Sequence, residues 1–584
     1  MVLALFALLP VVGLAQQAGA APDSARLHEL FAQDWAYTMR EHPEYATAVG
    51  YPGQNARWTD ESAEALARRK RHVTDVLGAL RTIDRARLSA TDQLNYDLFK
   101  RDYAAAAEET RFPGELMPIN QMEGVQQRVP GTIAQMSAET VQEYEDIVAR
   151  LRGVPVLVSQ TMSLLERGLA QKLTPPRITL RELPAQAQNL VVDDPLTSPL
   201  LKAFTRFPAS IPAADQERLR AAAMAAYRDS VAPAFRRLST YLRDKYVPGA
   251  RVTVGFRDLP NGVEWYRVRA RASTTTDLTP EQIHSLGLAE VKRIRAQMDS
   301  VIAASGFKGS FAEFVQFLRT DPRFYFTTGD DLIRASRELM KRIDPELPRL
   351  FGTLPRLPYG VTPIPSYAER SQTTAYYEPG SPISHRAGTY FVNTYNLPMR
   401  PKWEMEALSV HEAVPGHHLQ IALAQELEGV PEFRRFGGYT AFTEGWGLYS
   451  ESLGGELGLY TDPYSKFGQL TYEMWRAIRL VIDTGIHTMG WSREQAIDYF
   501  KANAAKTEHD ITVEVDRYIV WPGQALAYKI GELKIKELRA YATSTLGAQF
   551  DIRAFHDVVL GAGSVPLDVL DARVRAWVGS IPAR

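Results

Sequence analysis

The chain has 584 residues, of which 45% are hydrophobic and 23% charged, with 67 Lys and Arg against 68 Asp and Glu. A formal net charge of −1 gives no long-range field to attract nucleic acid, so nucleic acid is not an expected partner. The sequence contains no cysteine, which excludes thiolate zinc cages, iron–sulfur clusters and a cysteine nucleophile. Any metal ion must therefore be held by His, Asp and Glu side chains.

The first residues of the chain, 2–15, are apolar and uncharged. They are too few to span a bilayer as a helix, but they fit the apolar region of a secretory signal. We expect residues 1–20 to be a cleaved signal peptide, with a buried N-terminal segment as the alternative. The protein should then be periplasmic or secreted. The lack of cysteine predicts that it is not a lipoprotein. The sequence has no further apolar run long enough to span a bilayer, so we expect no stable membrane insertion.

Helical periodicity dominates the chain up to residue 250. Residues 62–83 and 137–169 alternate apolar and charged side chains with a period near 3.6 residues, and Ser137 is the expected N-cap of the second segment. A Thr-Pro-Pro sequence at residues 174–176 stops this helix. The pattern predicts a helical N-terminal region over residues 23–250.

The pattern changes after residue 250. Residues 251–272 alternate β-branched and aromatic side chains, which predicts the start of a small sheet. Thr279 and Pro280 then predict a helix start. Residues 351–398 are rich in Pro, Gly, Tyr and Thr, with extended runs near 362–367, 374–377 and 388–394, before helical periodicity returns at residue 402. We predict a mainly α, α+β architecture in which residues 251–584 form the catalytic region with its small sheet, and the two halves of the chain form one unit around a cleft.

Three of the 11 histidines lie within eight residues, at His411, His417 and His418. The flanking residues are apolar, so these side chains need buried partners, and a metal ion would provide one. The alternative is a polar helix surface with chance histidines. Glu412 follows the first histidine, as does the general base in the His-Glu-x-x-His arrangement of zinc hydrolases.

The spacing of these histidines requires a distorted helix. His411 and His417 are six residues apart, about 240° around a regular helix, so a straight helix could not aim both at one ion. Pro415 and Gly416 are the expected site of the distortion. His418 shares the face of His411 but lies about 10.5 Å along the axis. We therefore take His417 as the ligand and expect His418 to support the site from behind.

Glu444 is the candidate for a third ligand. It lies in a predicted helix over residues 440–451 whose other side chains are largely apolar or aromatic, which disfavours the alternative of a solvated charge. Glu451 follows one heptad later on the same face. It is expected either to orient a ligand or to pair with an arginine.

Four segments resemble a known family. They are HEAVPGHHLQ (411–420), FTEGWGLYSE (442–451), DTGIH (483–487) and RYIVWPGQALAYKIG (517–531). In this order they resemble the bacterial domain-of-unknown-function 885 family, which is similar to zincin metallopeptidases of the gluzincin type. The resemblance implies a zincin-like fold in which one Zn²⁺ per chain is held by His411, His417 and Glu444, with Glu412 as base.

The expected function is that of a zinc-dependent metallopeptidase acting on a peptide or other amide. Glu412 would take a proton from water that the metal activates, while Tyr528 or Tyr518 would stabilise the oxyanion. Arg517 adjoins this pair in sequence. His487 is either a substrate contact or a satisfied packing residue.

The extended run that includes Tyr390 and Asn393 would either lie along a peptide or form a central strand. Two other functions compete with the peptidase. One is a zinc amidase acting on a non-peptide amide, and the other is a non-catalytic periplasmic binding protein.

Overall fold

The structure is a computed structural model that describes residues 22–582, except residues 367, 368 and 370–372. The described chain is mainly helical with a small sheet, as the sequence predicts. The helices before the sheet are α1 (Asp23–Glu41), α2 (Pro43–Val49), α3 (Ala63–Leu80), α4 (Ala90–Glu109), α5 (Val125–Gln135), α6 (Val141–Ala170), α7 (Arg177–Leu180), α8 (Leu183–Gln188), α9 (Ala213–Ala226), α10 (Ala232–Tyr241), α11 (Val247–Gly249), α12 (Gly262–Thr274), α13 (Pro280–Ala304), α14 (Phe311–Thr320), α15 (Gly329–Ile343) and α16 (Leu347–Leu350).

The sheet and the remaining helices complete the described chain. The strands are β1 (Tyr359–Pro363), β2 (Ala375–Glu378) and β3 (Gly388–Val392). The helices are α17 (Lys402–Glu412), α18 (His417–Gln425), α19 (Glu432–Phe436), α20 (Thr440–Leu453), α21 (Pro463–His487), α22 (Arg493–Asn503), α23 (Glu508–Val520), α24 (Ala527–Leu546), α25 (Ile552–Leu560) and α26 (Leu567–Ser580). Among the described residues, no helix combines the length and apolar character that a membrane span needs.

Side-chain caps fix where the long helices begin. Thr140, and not the predicted Ser137, caps α6: its hydroxyl accepts from the Glu143 N–H at 3.3 Å, and the Glu143 carboxylate accepts from the Thr140 N–H at 2.9 Å. This reciprocal pair needs Glu or Gln three residues after the cap, which Ser137 lacks. The predicted start of α13 is confirmed, because Thr279 caps it and Pro280 is its first residue.

The sheet predicted to begin at residues 251–272 is wrong, because residues 262–272 belong to helix α12 and the rest of that segment contains no strand. Trp265 and Val268 are buried three residues apart, and Tyr266 and Ala270 four apart, so they share helix faces. Gly262 permits the entry into the helix, since a Cβ there would lie 1.6 Å from the Phe256 carbonyl oxygen. Aromatic and β-branched residues favour strands only weakly, and here burial against neighbouring helices overrides that preference.

The sheet lies instead between residues 359 and 392, in the order β1-β3-β2. β3 pairs in parallel with β1 and antiparallel with β2, so both its edges are used. The run that includes Tyr390 is therefore a central strand, the second of the two alternatives. The buried Tyr390 hydroxyl lies 3.1 Å from Ser409 Oγ, and this contact seats α17 on the sheet.

Buried apolar residues form two large cores that bear on domain organisation. One contains only residues between 119 and 250. Another surrounds α17, α20 and α24 but also takes in Leu98, Phe112 and Leu164 from the N-terminal region. The predicted division of the chain near residue 250 stays a prediction.

Glycines let α20 and α24 cross at close range. A Cβ on Gly445 would lie 2.5 Å from the Gly531 Cα, and one on Gly531 would lie 1.8 Å from the Ala441 carbonyl oxygen. No L side chain fits at either position unless the helices separate. Because Glu444 precedes Gly445 and Tyr528 lies one turn before Gly531, this crossing sets the distance between the two helices that carry these side chains.

Gly445→Ala should destabilise the protein by about 1–3 kcal/mol, because the added methyl group overpacks a backbone crossing. Thermal unfolding followed by circular dichroism would measure the change. Gly78→Ala is the matched control, since Gly78 lies within α3 and a Cβ there meets nothing within 4 Å. That control should be neutral or mildly stabilising through helix propensity. A Gly445→Ala variant as stable as the wild type would contradict the close crossing.

Candidate functional site

The helix that carries the candidate metal ligands is broken where the sequence predicts. α17 ends at Glu412 and α18 begins at His417, with Pro415 and Gly416 in the loop between them. A Cβ on Gly416 would lie 1.9 Å from the His411 carbonyl oxygen, so only glycine allows the loop to fold back this tightly. The two extra residues are looped out, and the second histidine returns beside the first.

The break brings three candidate ligands together. Glu444 Oε2 lies 3.5 Å from His411 Nε2 and 3.3 Å from His417 Nε2. One ligand atom of each residue lies within 4.8 Å of the other two. The two imidazole rings stand nearly perpendicular, at 84°, with their centroids 4.7 Å apart. These three side chains could hold a metal ion.

Two polar atoms of the cluster are buried without a hydrogen bond in the described part of the chain. Among the described residues, His417 Nδ1 and Glu444 Oε2 have no hydrogen-bond partner, although both atoms are shielded from solvent. Buried polar groups in native proteins are nearly always paired. The cluster is therefore incomplete as a purely side-chain network, and its donor set of two imidazoles and a carboxylate suits a divalent cation.

The protonation of the cluster without a metal ion fits this interpretation. Burial alone lowers the pKa of His411, but its contacts with Glu444 and Glu451 raise the pKa to about 9. Burial raises the pKa of the Glu444 carboxyl, but attraction to His417 and His411 holds it well below its usual range. A proton on His411 thus supplies positive charge that a bound cation would replace.

Glu451 and Arg476 hold His411 from behind. Glu451 is fully buried, and its Oε1 lies 2.8 Å from His411 Nδ1 and 3.2 Å from Arg476 Nη2. The His411 Nδ1–H donates to this carboxylate, which leaves Nε2 free to face Glu444. Gly447 makes room for the ring, since a Cβ there would lie 2.7 Å from His411 Cε1. Nothing in the sequence singles out Arg476 among the many arginines, although a buried glutamate needs a cation as its partner.

Glu412 lies beside the cluster at the end of α17. Its side chain is partly exposed and makes no hydrogen bond or ion pair within the described part of the chain. It is thus free to contact a molecule that enters the site. Glu412 also acts electrostatically on Tyr390, whose pKa is raised mainly by burial and further by this carboxylate.

The structure places the two candidate tyrosines differently. The Tyr528 ring stacks 6.3 Å from the His411 ring, and its hydroxyl accepts from Arg517 Nη2 at 3.0 Å. The Tyr518 hydroxyl accepts instead from Trp475 Nε1 at 2.8 Å and Arg479 Nε at 3.1 Å, and burial raises its pKa. Tyr528 is therefore the tyrosine beside the cluster. Arg479, which the sequence analysis missed, lies 4.3 Å over the Tyr528 ring.

Two other predicted histidines have partners elsewhere. His418 Nδ1 lies 2.9 Å from the Tyr377 hydroxyl, and burial lowers the His418 pKa to about 4. His487 accepts from the Phe256 N–H at 3.1 Å and lies 3.0 Å from the Tyr518 carbonyl oxygen. Burial lowers its pKa to about 3, so it is a neutral, satisfied packing residue.

Asn393 is likewise occupied by the backbone around the sheet. Its amide nitrogen donates to the carbonyl oxygens of Glu369 at 2.8 Å and Thr373 at 3.0 Å, and its oxygen accepts from the Tyr395 N–H at 2.9 Å. The side chain is fully buried. Asn393 therefore shapes the segment between β1 and β2 and is not presented to a substrate by these contacts.

Solved structures of similar fold include the following two proteins. One is described as a candidate lipoprotein from Colwellia psychrerythraea, with 28% identity, a TM-score of 0.90 and coverage of 96% of this chain and 100% of the other. The second is described as a candidate lipoprotein of unknown function from Shewanella oneidensis, with 18% identity, a TM-score of 0.70 and coverage of 94% and 99%. The second shows the fold alone. No curated protein matches the sequence.

These comparisons correct the expected location. The sequence analysis predicts a periplasmic or secreted protein that is not a lipoprotein. The prediction that the protein is not a lipoprotein is contradicted, because the Colwellia relative is described as a candidate lipoprotein. The prediction was drawn from the absence of cysteine in this sequence, and that absence does not decide where the protein is located. The predicted signal peptide, residues 1–20, lies outside the described residues.

Family comparison matches residues 43–574 to a model described as a bacterial protein of unknown function, DUF885. The match includes each segment that carried the sequence resemblance. It also includes the three candidate ligands, Glu412 and Tyr528. The chain therefore belongs to the DUF885 family.

Proposed function

We propose that this protein is a zinc-dependent metallopeptidase of zincin type that hydrolyses peptide bonds. The observation that carries the proposal is the convergence of His411, His417 and Glu444, with Glu412 directly after His411 in the chain. Tetrahedral zinc with bonds of about 2.0–2.2 Å places its ligand atoms about 3.3–3.6 Å apart. The separations of Glu444 Oε2 from His417 Nε2, 3.3 Å, and from His411 Nε2, 3.5 Å, fit that spacing.

The chain's own residues divide the work of hydrolysis. When bound, a zinc ion acts as a Lewis acid, which makes water more acidic and polarises a carbonyl oxygen. Glu412, partly exposed and without a partner, accepts the proton of the attacking water and passes it to the leaving amine. Glu451 and Arg476 keep the His411 ring in the orientation and tautomer that direct Nε2 toward the ion.

Tyr528 is placed to stabilise negative charge on the substrate. Its oxygen accepts a hydrogen bond from Arg517, so its own O–H proton remains free to be donated. Arg479 lies over the ring of the same residue, 4.3 Å from its centroid. A preorganised donor beside two buried guanidinium groups favours a developing oxyanion, because no solvent has to reorganise during the reaction.

His417→Ala should abolish stoichiometric zinc, because it removes one of three ligands. His418→Ala should retain most of the metal, since the His418 ring contacts Tyr377 and Tyr359. Elemental analysis of the folded, purified variants measures zinc per chain. Loss of zinc in His418→Ala with retention in His417→Ala would reassign the ligand.

Glu412→Gln should keep zinc but lower hydrolysis by about 10²–10⁴, because the amide cannot accept a proton. Glu444→Gln should weaken zinc binding itself, because a neutral group replaces an anionic ligand. Digestion of a peptide library, read by mass spectrometry, supplies a peptide that the wild type cleaves. Turnover and zinc content are then measured for both variants. Wild-type hydrolysis by a zinc-loaded Glu412→Gln variant would defeat the mechanism.

Glu451→Gln should weaken zinc binding about 10- to 100-fold, because the His411 ring loses its anionic partner. Competition with a chromogenic zinc chelator gives the affinity. Glu456→Gln is the control, since Glu456 pairs with Arg539 at 2.9 Å in a partly exposed salt bridge away from the ligands. Equal zinc affinity in both variants would show that Glu451 does not support the ligand.

A further inference from the structure

A cleft of about 530 Å³ lies beside the candidate site, between helices of the N-terminal region and α23. Residues from α5 and α8 form one side of it, and residues of α23 and of the segment before α17 form the other. Its lining includes the polar side chains of Gln121, Gln126, Arg181, Arg400, Lys506 and Glu514. None of the residues assigned above as metal ligands or base lines it.

Arg400 differs from the other cations of the cleft. It is 7% exposed and donates from Nη1 only to Thr374 Oγ1 at 3.3 Å and the Met399 carbonyl at 3.4 Å. Its Nε has no partner, and no described carboxylate lies within ion-pair distance. In contrast, Lys506 pairs with Glu404, and Arg181 pairs with Asp516 at 3.0 Å.

A buried guanidinium without an anion is costly, since little water remains to stabilise its charge. Burial lowers the pKa of Arg400, and only more distant groups, led by Asp510, oppose the shift. A carboxylate would satisfy this cation with two parallel hydrogen bonds, the geometry that arginine prefers. The Arg400 guanidinium can therefore bind an anion, and the described part of the chain does not supply one.

Two buried amide oxygens in the same cleft point to a ligand that also carries N–H groups. Gln121 Oε1 and Gln126 Oε1 have no hydrogen-bond partner among the described residues. The Gln121 Nε2 is already committed to the Asp516 carbonyl at 3.0 Å, so its oxygen stays available. Inorganic phosphate would satisfy Arg400 but has few donors for these oxygens, whereas a peptide offers a carboxylate and backbone N–H groups together.

The cleft shares a wall with the candidate catalytic residues. Glu514 lines it and pairs with Arg479 at 3.1 Å, and Arg479 lies over the Tyr528 ring. Arg400 lies just before α17, whose far end carries His411. The ten residues from Lys402 to His411 rise about 13 Å, which an extended peptide covers in about four residues.

We propose that Arg400 binds the free C-terminal carboxylate of a peptide lying in this cleft, with Gln121 and Gln126 accepting its backbone N–H groups. One consequence of this inference rests on the proposed function: the enzyme would cleave near the C-terminal end of the peptide and release short fragments. Recognition of the carboxylate itself is a binding property and is measured without turnover.

The test compares N-acetylated decapeptides that end in a free acid or in an amide. Their dissociation constants are measured by calorimetry on the full chain carrying Glu412→Gln. We expect the acid to bind at least tenfold more tightly than the amide. Adding Arg400→Gln should remove this preference. If the glutamine variant does not fold, Arg400→Lys is measured in its place and should keep only part of the preference. Equal binding of acid and amide, or an unchanged preference in the Arg400 variants, would overturn the proposal.

A third peptide separates the two sources of a carboxylate. It ends in an amide but carries Asp at its last position, and binding as tight as that of the free acid would overturn the C-terminal assignment. Arg434→Gln is the matched control. Arg434 is 6% exposed and donates to Asn95 Oδ1 at 2.9 Å, away from the cleft. This variant should keep the preference for the acid.

Failure of the proposed function is distinguishable from failure of this inference. If the wild type cleaves no peptide but the acid preference depends on Arg400, the peptidase proposal fails and the carboxylate site stands. If peptides are cleaved with equal efficiency as acids and amides, the carboxylate site fails and the peptidase proposal stands.

Discussion

The candidate site depends on one backbone constraint, the loop between α17 and α18. Only a chain that leaves the helical path after Glu412 and re-enters it at His417 can place two histidines six residues apart on one face. Gly416 makes the close return possible, and the Trp446 Nε1–H of α20 donates to the Pro415 carbonyl at 2.8 Å. The helix that holds the loop closed is therefore the helix that carries Glu444. The hydrogen bond between Trp446 and Pro415 therefore positions the loop relative to the helix of the third ligand.

The sequence was informative wherever the chemistry was local. Capping residues and helical periodicity predicted α13, and the spacing of His411 and His417 required the break that the structure contains. It failed at α12, where aromatic and β-branched residues favour a strand in isolation but are buried on a helix. It also erred at Ser137, because the nearby Thr140 has the glutamate needed for a reciprocal cap.

Long-range partners were beyond the reach of sequence reasoning. Arg476 lies on α21, 25 residues after Glu451. Neither residue alone indicates that Glu451 Oε1 contacts both Arg476 Nη2 and His411 Nδ1. Likewise, Tyr518 and Tyr528 were both candidates on sequence, and only the fold shows that Tyr518 contacts Trp475 while Tyr528 stacks on His411. Which of several similar side chains meets a site is decided by helix packing, and no pattern within one segment contains that information.

The buried charges around the site follow a consistent balance. Arg476 neutralises Glu451, so the pair behind His411 adds no net charge. Arg479 and Arg517 share the single carboxylate of Glu514, at 3.1 and 3.6 Å, which leaves one positive charge on the wall that carries Tyr528. Glu444 is then the anion left for a divalent cation. A divalent cation held by Glu444 and two neutral histidines would carry net positive charge, which the Glu412 carboxylate offsets until it takes a proton. The Tyr528 wall adds more positive charge, so the proposed site would favour an oxyanion over the neutral amide from which it forms. Positive charge placed before the reaction begins lowers the barrier because the protein does not have to rearrange as the negative charge develops.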